Sequence, residues 1–412
     1  MDILSHIDNP KQLEKMYRDN KSEFKAAFDL VSSNIKDKQL FAYWHERLNY
    51  QSPSIFWGNR NDFIFILCGA LLAGILVKIP AIFGLDPEMF YQRNIGFIVF
   101  PILTTYFIWT RSLPIYKTIG SAIVYLLAGI YINSLAVSEK SDTFILACIH
   151  LPILLWGILG FSYVRGEFKN ASKLMDFLRY NGDLIIITGL ILICGGMLTG
   201  ITIGLFSVIG FQIEDFYFNY FGIFGLAAAP IVGTYLTQTN PQLVHKIAPV
   251  IARIFSPLVL IMLLVYLIAI AYSGKDPYND RTFLIIYNAL LIGVMAIILF
   301  SISESGKHQY GKLTGYILLA LSMVTLIVNG IALSAILYRI SEWGITPNRI
   351  AVLGANVLML IHLALIAFQL SKQALLKTDK QRIEQSITYY LPVYIVWICI
   401  VTFLFPIIFQ YK

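Results

Sequence analysis

Two apolar runs, Leu313–Leu337 and Ala351–Leu370, are each long enough to cross a bilayer and are separated by only thirteen residues, Tyr338–Ile350. Within that link, Gly344 follows Trp343 at the position where a helix stops in a left-handed turn. Ile345 then falls where a residue folds back on Ile340. Thr346 is a good N-cap, and Pro347 takes the first helical position, where its missing N–H costs nothing. Two membrane-length helices joined by so short a turn must run antiparallel and side by side.

The same pattern recurs along the chain. Apolar runs predict eleven spans, at about 62–84, 95–110, 117–137, 142–163, 183–209, 217–237, 247–273, 283–301, 313–338, 350–370 and 389–409. Only 13% of the 412 residues are charged, against about 25% in ordinary soluble domains, which excludes a large soluble core. The expected fold is all-α, a polytopic membrane bundle preceded by a small helical region at 1–57, with the bundle at 58–412. The first span serves as an uncleaved insertion signal, because the first 60 residues are charged and amphipathic rather than basic and then apolar.

Lysine and arginine placement gives a threading. With the N-terminus inside, inner segments hold 22 of the 31 basic side chains and outer segments hold 7, a roughly threefold bias that puts the N-terminus in the cytoplasm and the C-terminus outside. The net charge of +7 therefore reads as a topology signal and not as nucleic-acid binding. The basic loops 165–181 and 371–387 read as helices lying at the membrane surface, meeting anionic lipid.

In the N-terminal region, Asn9-Pro10-Lys11-Gln12 reads as a capped helix start and Ser22 as a second cap. Phe24, Phe28 and Val31 share one face of the second helix; Leu40, Phe41, Trp44 and Leu48 share one face of a third, from about 37 to 49. These helices form a cytosolic cap, with a protein partner there as the alternative.

The pattern Arg339-Ile-x-Glu342-x-Gly344-x-Thr346-x-Asn348-Arg349, with Asn9-Pro10-x-x-Leu13-Glu14-x-x-Tyr17-Arg18 and Trp44-x-x-Arg47-Leu48, resembles a family of bacterial polytopic membrane proteins known as domain of unknown function 4153, in its Bacteroidetes-type form. The resemblance implies a bacterial inner-membrane protein and transfers no catalytic residue.

Gly196, Gly200 and Gly204 repeat every fourth residue in one span, and Gly222, Gly225, Ala229 and Gly233 form a comparable stripe in the next. Such spacing lets helix backbones approach closely in lipid. Pro230 and Pro257 each break a helical hydrogen bond. The cysteines, Cys68, Cys148, Cys194 and Cys399, lack zinc-ligand or redox spacing and read as small hydrophobes.

Polar side chains inside spans are the functional clue, since burying one without a partner is costly. In the threading above, Lys78, Asn133, His150, Tyr287, Asn288, Asn329 and Asn356 lie in the outer half, and His362 lies near the midplane. Glu342 in an outer loop is a prospective partner for Lys78. Together they suggest an outward-facing cavity holding a small polar or amphipathic ligand, as in a permease-like or envelope-associated protein. The bland reading is that each makes a local or interhelical hydrogen bond and nothing more.

Two other classes compete. A transferase acting on a lipid-linked donor would use Glu214, Asp215, Glu342, His150 or His362; a non-catalytic scaffold or sensor would act through the N-terminal helices. No phosphate loop, nucleophile elbow or zinc motif is present in the sequence, so no cofactor or metal is expected. Asp276 and Asp280 read as a solvated loop. Membrane lipids are the expected surroundings.

Overall fold

The computed structural model describes residues 3–6, 9–31, 38–49, 59–135, 141–208, 212–241, 248–273, 278, 281–304, 312–376 and 380–411. The chain divides into two compact units, Met1–Trp57 and Gly58–Lys412.

The first unit packs three short helices, α1 (Pro10–Asp19), α2 (Lys21–Val31) and α3 (Lys38–Asn49). Asn9 caps α1 by accepting the Gln12 N–H at 3.2 Å. Asn20, not Ser22, starts α2: its Oδ1 accepts the Glu23 N–H at 3.2 Å while its amide nitrogen donates to Glu23 Oε2 at 3.1 Å. Leu13, Phe24, Phe28 and Trp44 form the core, with Ile3 of the leading segment. Glu14 pairs with Arg18 at 2.7 Å and with Arg47 of α3 at 2.8 Å.

The described residues of the second unit form helices joined by turns, with no strand among them. Its helices are α4 (Arg60–Phe83), α5 (Pro87–Thr110), α6 (Ile115–Ser134), α7 (Asp142–Tyr163) and α8 (Ala171–Val208). There follow α9 (Glu214–Thr239), α10 (Ala248–Ser273), α11 (Arg281–Glu304), α12 (Lys312–Trp343) and α13 (Pro347–Leu376). The last, α14, runs from Lys380 to Cys399 and continues through a π turn, Ile400–Leu404, into Phe405–Ile408. Another π turn, Phe218–Gly222, interrupts α9.

Among the described residues, nine helices are long and apolar enough to cross a membrane. Pro87–Thr110 and Ala248–Ser273 are the two of the eleven expected spans outside that set. Large apolar side chains on the rim are exposed, Ile185, Ile193 and Met197 among them. In water such a surface would drive aggregation; in lipid it is the ordinary exterior. The chain is a multi-pass integral membrane protein.

Polar residues start the helices as the caps require. Asp86 accepts from Glu88 N–H at 2.9 Å, Ser141 from Phe144 N–H at 3.3 Å, and Asn170 from Lys173 N–H at 3.2 Å. The α12–α13 turn follows its sequence signals. Gly344 has φ +75°, its N–H reaches Ile340 O at 2.9 Å, and Thr346 Oγ1 accepts from Arg349 N–H at 3.3 Å. Ile345, however, is 66% exposed instead of covering Ile340. Arg349 holds the helix end instead, donating from Nη1 to the carbonyls of Trp343 at 2.8 Å and Gly344 at 2.6 Å.

Three differences from the sequence reading bear on function. Helix α5 begins at Pro87, so Arg93 lies within a helix, where its guanidinium donates to Asn133 O and Leu135 O, both at 3.0 Å. Residues 171–181 continue directly into the following span as one 38-residue helix, and Leu174, Met175, Phe177 and Tyr180 are buried in the bundle core, so they do not lie on its surface. Of the small-residue stripes, Gly233 meets α8 closely, at Thr188 and Leu184, and Ala229 is buried. A Cβ at Gly196, Gly200 or Gly225 would meet no atom of another helix within 4 Å among the described residues, because α9 packs on the nearer half of α8. The side chain at 204 lies outside the described residues, as do Asp276 and Asp280.

Both ends of the bundle are tied by polar contacts. At the end carrying the Trp343–Pro347 turn (the turn face), Leu146, Ala351, Val401 and Phe405 join the start of α7, the start of α13 and the end of α14, and Ser141 Oγ donates to Tyr411 O at 2.9 Å. At the opposite end (the loop face), Lys117 Nζ donates to Arg165 O at 2.7 Å and Arg111 to Gln238 Oε1 at 3.3 Å. Glu167 pairs there with Lys173 at 2.6 Å, a hydrogen bond that holds the Glu167 carboxyl below its ordinary range.

Candidate functional site

The largest buried cluster is built from α11, α12, α13 and α14, with Tyr287, Leu291, Leu321, Val328, Met359 and Leu363 among its members. Into this apolar core α11, α12 and α13 each bring one asparagine. Asn356 Nδ2 donates to Asn288 Oδ1 at 2.6 Å and to Val352 O, one turn back on its own helix, at 2.8 Å. Asn288 Nδ2 donates to Leu284 O at 2.7 Å, and Asn329 Nδ2 to the main-chain oxygen of Asn356 at 3.2 Å.

This geometry decides which way each amide points. Every –NH2 group is anchored on a carbonyl, and both hydrogens of Asn356 are committed, so the amide oxygens take what is left. Asn288 Oδ1 is filled by Asn356. Asn329 Oδ1 and Asn356 Oδ1 have no hydrogen-bond partner among the described residues, although both residues are fully buried. An unsatisfied buried acceptor costs about 1–3 kcal/mol, and here there are two. What they can do chemically is accept hydrogen bonds from hydroxyl, amide or ammonium donors. Asn356 lies roughly 14 Å along α13 from Pro347, at the rise of ~1.5 Å per residue, well inside the apolar zone.

The other polar residues singled out in the sequence go elsewhere. His362 faces α14, stacked on Tyr390 at 4.6 Å, with Nδ1 3.2 Å from the Tyr394 hydroxyl and no partner at Nε2. Asn133 exchanges amide hydrogen bonds with Asn94 of α5, at 2.9 and 3.1 Å. His150 Nδ1 lies 2.8 Å from Leu146 O on its own helix, not from the Cys148 carbonyl that Pro152 would free. Lys78 sits 4.7 Å above the Tyr220 ring. It has no route to Glu342, which is exposed: α4 packs on α5 and α9, whereas α12 packs on α10, α11 and α13. Tyr287 is buried in the same core as the asparagines.

An open cavity at the asparagines was expected; the structure closes it, with Asn329 and Asn356 at zero exposure. A broad groove of about 860 Å³ lies on the loop face, between residues 166–172 and Gln381, Gln385 and Tyr389, and no side chain lining it is buried. The transferase candidates do not assemble: Glu214 and Asp215 are exposed at the start of α9, away from His150 and His362 on α7 and α13. No group of three or more histidine, cysteine or acidic side chains suited to a metal ion occurs among the described residues.

Sequence reasoning missed several polar residues. Arg93 and Asn94 fall just outside the span expected at 95–110, and Tyr390 and Tyr394 fall inside the one expected at 389–409, where nothing in the sequence marks them. Asp183 and Glu304 sit at span ends, where charged residues are commonplace; the structure buries both. Comparison with protein-family models, curated proteins and solved structures finds no match to this chain.

Proposed function

We propose that this protein is permease-like and holds a small polar ligand between α11, α12 and α13, with donor groups of the ligand facing Asn329 Oδ1 and Asn356 Oδ1. The observation that carries the reading is this pair of fully buried, unpartnered amide oxygens in the core of a membrane bundle. A purely structural asparagine cluster would be expected to satisfy its own acceptors. Polar groups gathered inside an apolar bundle, well below the surface, are also where membrane carriers place their binding sites.

Access follows from connectivity. The short turn at Gly344 holds α12 and α13 together, so α11 is the element that separates to admit a solute. The turn face is the entry side. From the basic-residue bias, that side is extracytoplasmic, with the N-terminus in the cytoplasm; the resemblance stated above makes the membrane a bacterial inner membrane.

The test uses single cysteines at Asn288 and Asn356 in a chain whose four native cysteines are replaced. A membrane-impermeant thiol reagent applied from the extracytoplasmic side should modify both, at a rate that falls when the turn face is cross-linked shut. Probes inert from both sides would remove the binding site; labelling from the cytoplasmic side alone would reverse the entry side.

A further inference from the structure

A second buried polar centre lies at the loop face, on α8 and α11, apart from the asparagines. Arg179 and Asp183 are one turn apart on α8, and Glu304 is the last residue of α11. Asp183 is 6% exposed and the Glu304 side chain 3%. Arg179 is the evident partner for both acids, but three of its five N–H donors are used elsewhere. Nε and Nη2 donate to Ser303 O at 3.2 and 2.7 Å, and Nη1 donates to the exposed Asp176 at 2.8 Å. Its approach to Glu304 Oε1, 3.5 Å, is an ion pair without a hydrogen bond. Glu304 Oε1 and Asp183 Oδ1 have no hydrogen-bond partner among the described residues.

Among the described side chains the charges therefore do not balance. Two buried carboxylates face one guanidinium, itself shared with Asp176. Glu304 stands at a helix C-terminus, where free carbonyls already concentrate negative potential. Among the surrounding elements, α5 brings Arg111, which sits 4.7 Å over the Tyr163 ring of α7. On α9, Thr234 bonds the Tyr180 hydroxyl at 2.8 Å, and Tyr235 lies in the adjoining core. Glu384 of α14 has partners of its own. Among the described charges, Arg179 acts on both carboxyls and Asp183 acts on Glu304. Among the described side chains one negative charge is left over at a largely buried site, and buried charges persist only when paired.

We propose that Asp183 and Glu304 form a binding site for one monovalent positive charge, supplied as a proton or as an alkali cation, at the loop face of the bundle. It stands independently of the asparagine site and would give a carrier a second, ion-occupied centre.

The experiment measures thermal unfolding of the full chain in lipid nanodiscs, in choline chloride, across pH and with sodium or potassium replacing choline at constant ionic strength. Wild-type protein should be stabilised by acidification or by the alkali cation. Asp183→Asn and Glu304→Gln, which each remove the surplus charge, should lose that dependence and unfold as the loaded wild type does. Asp176→Asn, an exposed acid on the same arginine, should keep it. Infrared difference spectra separate the sources: a protonated-carboxyl band at neutral pH that vanishes in either variant identifies the proton, and a sodium- or potassium-dependent carboxylate shift identifies the metal. A dependence unchanged in both variants overturns the proposal. So does wild-type protein with neither a protonated-carboxyl band nor a cation effect, a result that holds whether or not the variants fold.

Discussion

Asn356 donates to Asn288 Oδ1 at 2.6 Å, joining α13 to α11 through side chains 68 positions apart in sequence. Interhelical hydrogen bonds of this kind are modest in membranes, averaging about 0.6 kcal/mol and reaching ~1.7, because the separated helices find other partners in lipid. A double-mutant cycle between Asn288→Ala and Asn356→Ala should give a coupling in that range, measured by equilibrium unfolding in mixed micelles. Asn356→Ala alone should cost more than the coupling, since Asn288 Oδ1 is left without its donor. A coupling near zero would mean that the two amides do not meet in the folded protein.

Gly354 is placed against the ring of Trp397 on α14, which fills the space a Cβ would need. Gly354→Ala therefore overpacks the α13–α14 contact and should destabilise by about 1–3 kcal/mol. The penalty should shrink when the ring is removed as well, in Gly354→Ala with Trp397→Leu. Additive losses in the double variant would show that the ring is not the obstacle.

Arg93 donates from Nη1 to Asn133 O and from Nη2 to Leu135 O, at 3.0 Å each, closing the C-terminal end of α6. The planar guanidinium reaches both carbonyls at once, and a lysine ammonium lacks that fixed fork. Arg93→Ala should cost about 1–3 kcal/mol through the carbonyls left unpaired, and Arg93→Lys should recover only part of it. Faster amide exchange confined to the last turn of α6 is the expected local signature. Full recovery in the lysine variant would reduce the role of Arg93 to simple charge.

What the sequence makes legible here is local. The Tyr338–Ile350 turn could be read directly, because Gly344, Thr346 and Pro347 act on their own backbone and need no knowledge of neighbours. Span positions were readable for the same reason, since apolar length is a one-dimensional property. Neighbour relations were not. Lys78 meets Tyr220 and not Glu342, and nothing in α4 marks which of its faces turns inward, because a helix in lipid is apolar all round. Asn288, Asn329 and Asn356 stood out in sequence for the same reason as Asn133 and His150, yet only the first three converge. Depth alone cannot separate them, since convergence depends on rotation about each helix axis. Asp183 and Glu304 escaped notice because a charge at a span end is usually solvated, and only the packing of α8 on α11 buries them.

The N-terminal unit carries a pH dependence whose sign can be worked out. The hydrogen bond from Arg18 holds the Glu14 carboxyl below its ordinary value; burial opposes this, and the charge of Arg47 adds to it. A depressed folded-state pKa means that folded Glu14 binds its proton later than unfolded Glu14 on acidification. Its contribution to stability is therefore fully present above the ordinary glutamate value, about 4.3, and is lost as pH falls through the lower folded value. Because the pair is exposed, the loss should be small and weaker still in high salt. What makes it observable is the connection it maintains: Glu14 spans from α1 to Arg47 of α3, whose guanidinium lies 5.2 Å from the Tyr17 ring and 5.4 Å from that of Trp44. Hydrogen exchange of the full chain, sampled below pH 4 and at pH 6, should show extra opening of α1 on acidification beyond the intrinsic pH effect. Glu14→Gln should remove that difference by being equally open at both. An acid-induced opening that persists unchanged in Glu14→Gln would assign it to another carboxylate of the unit.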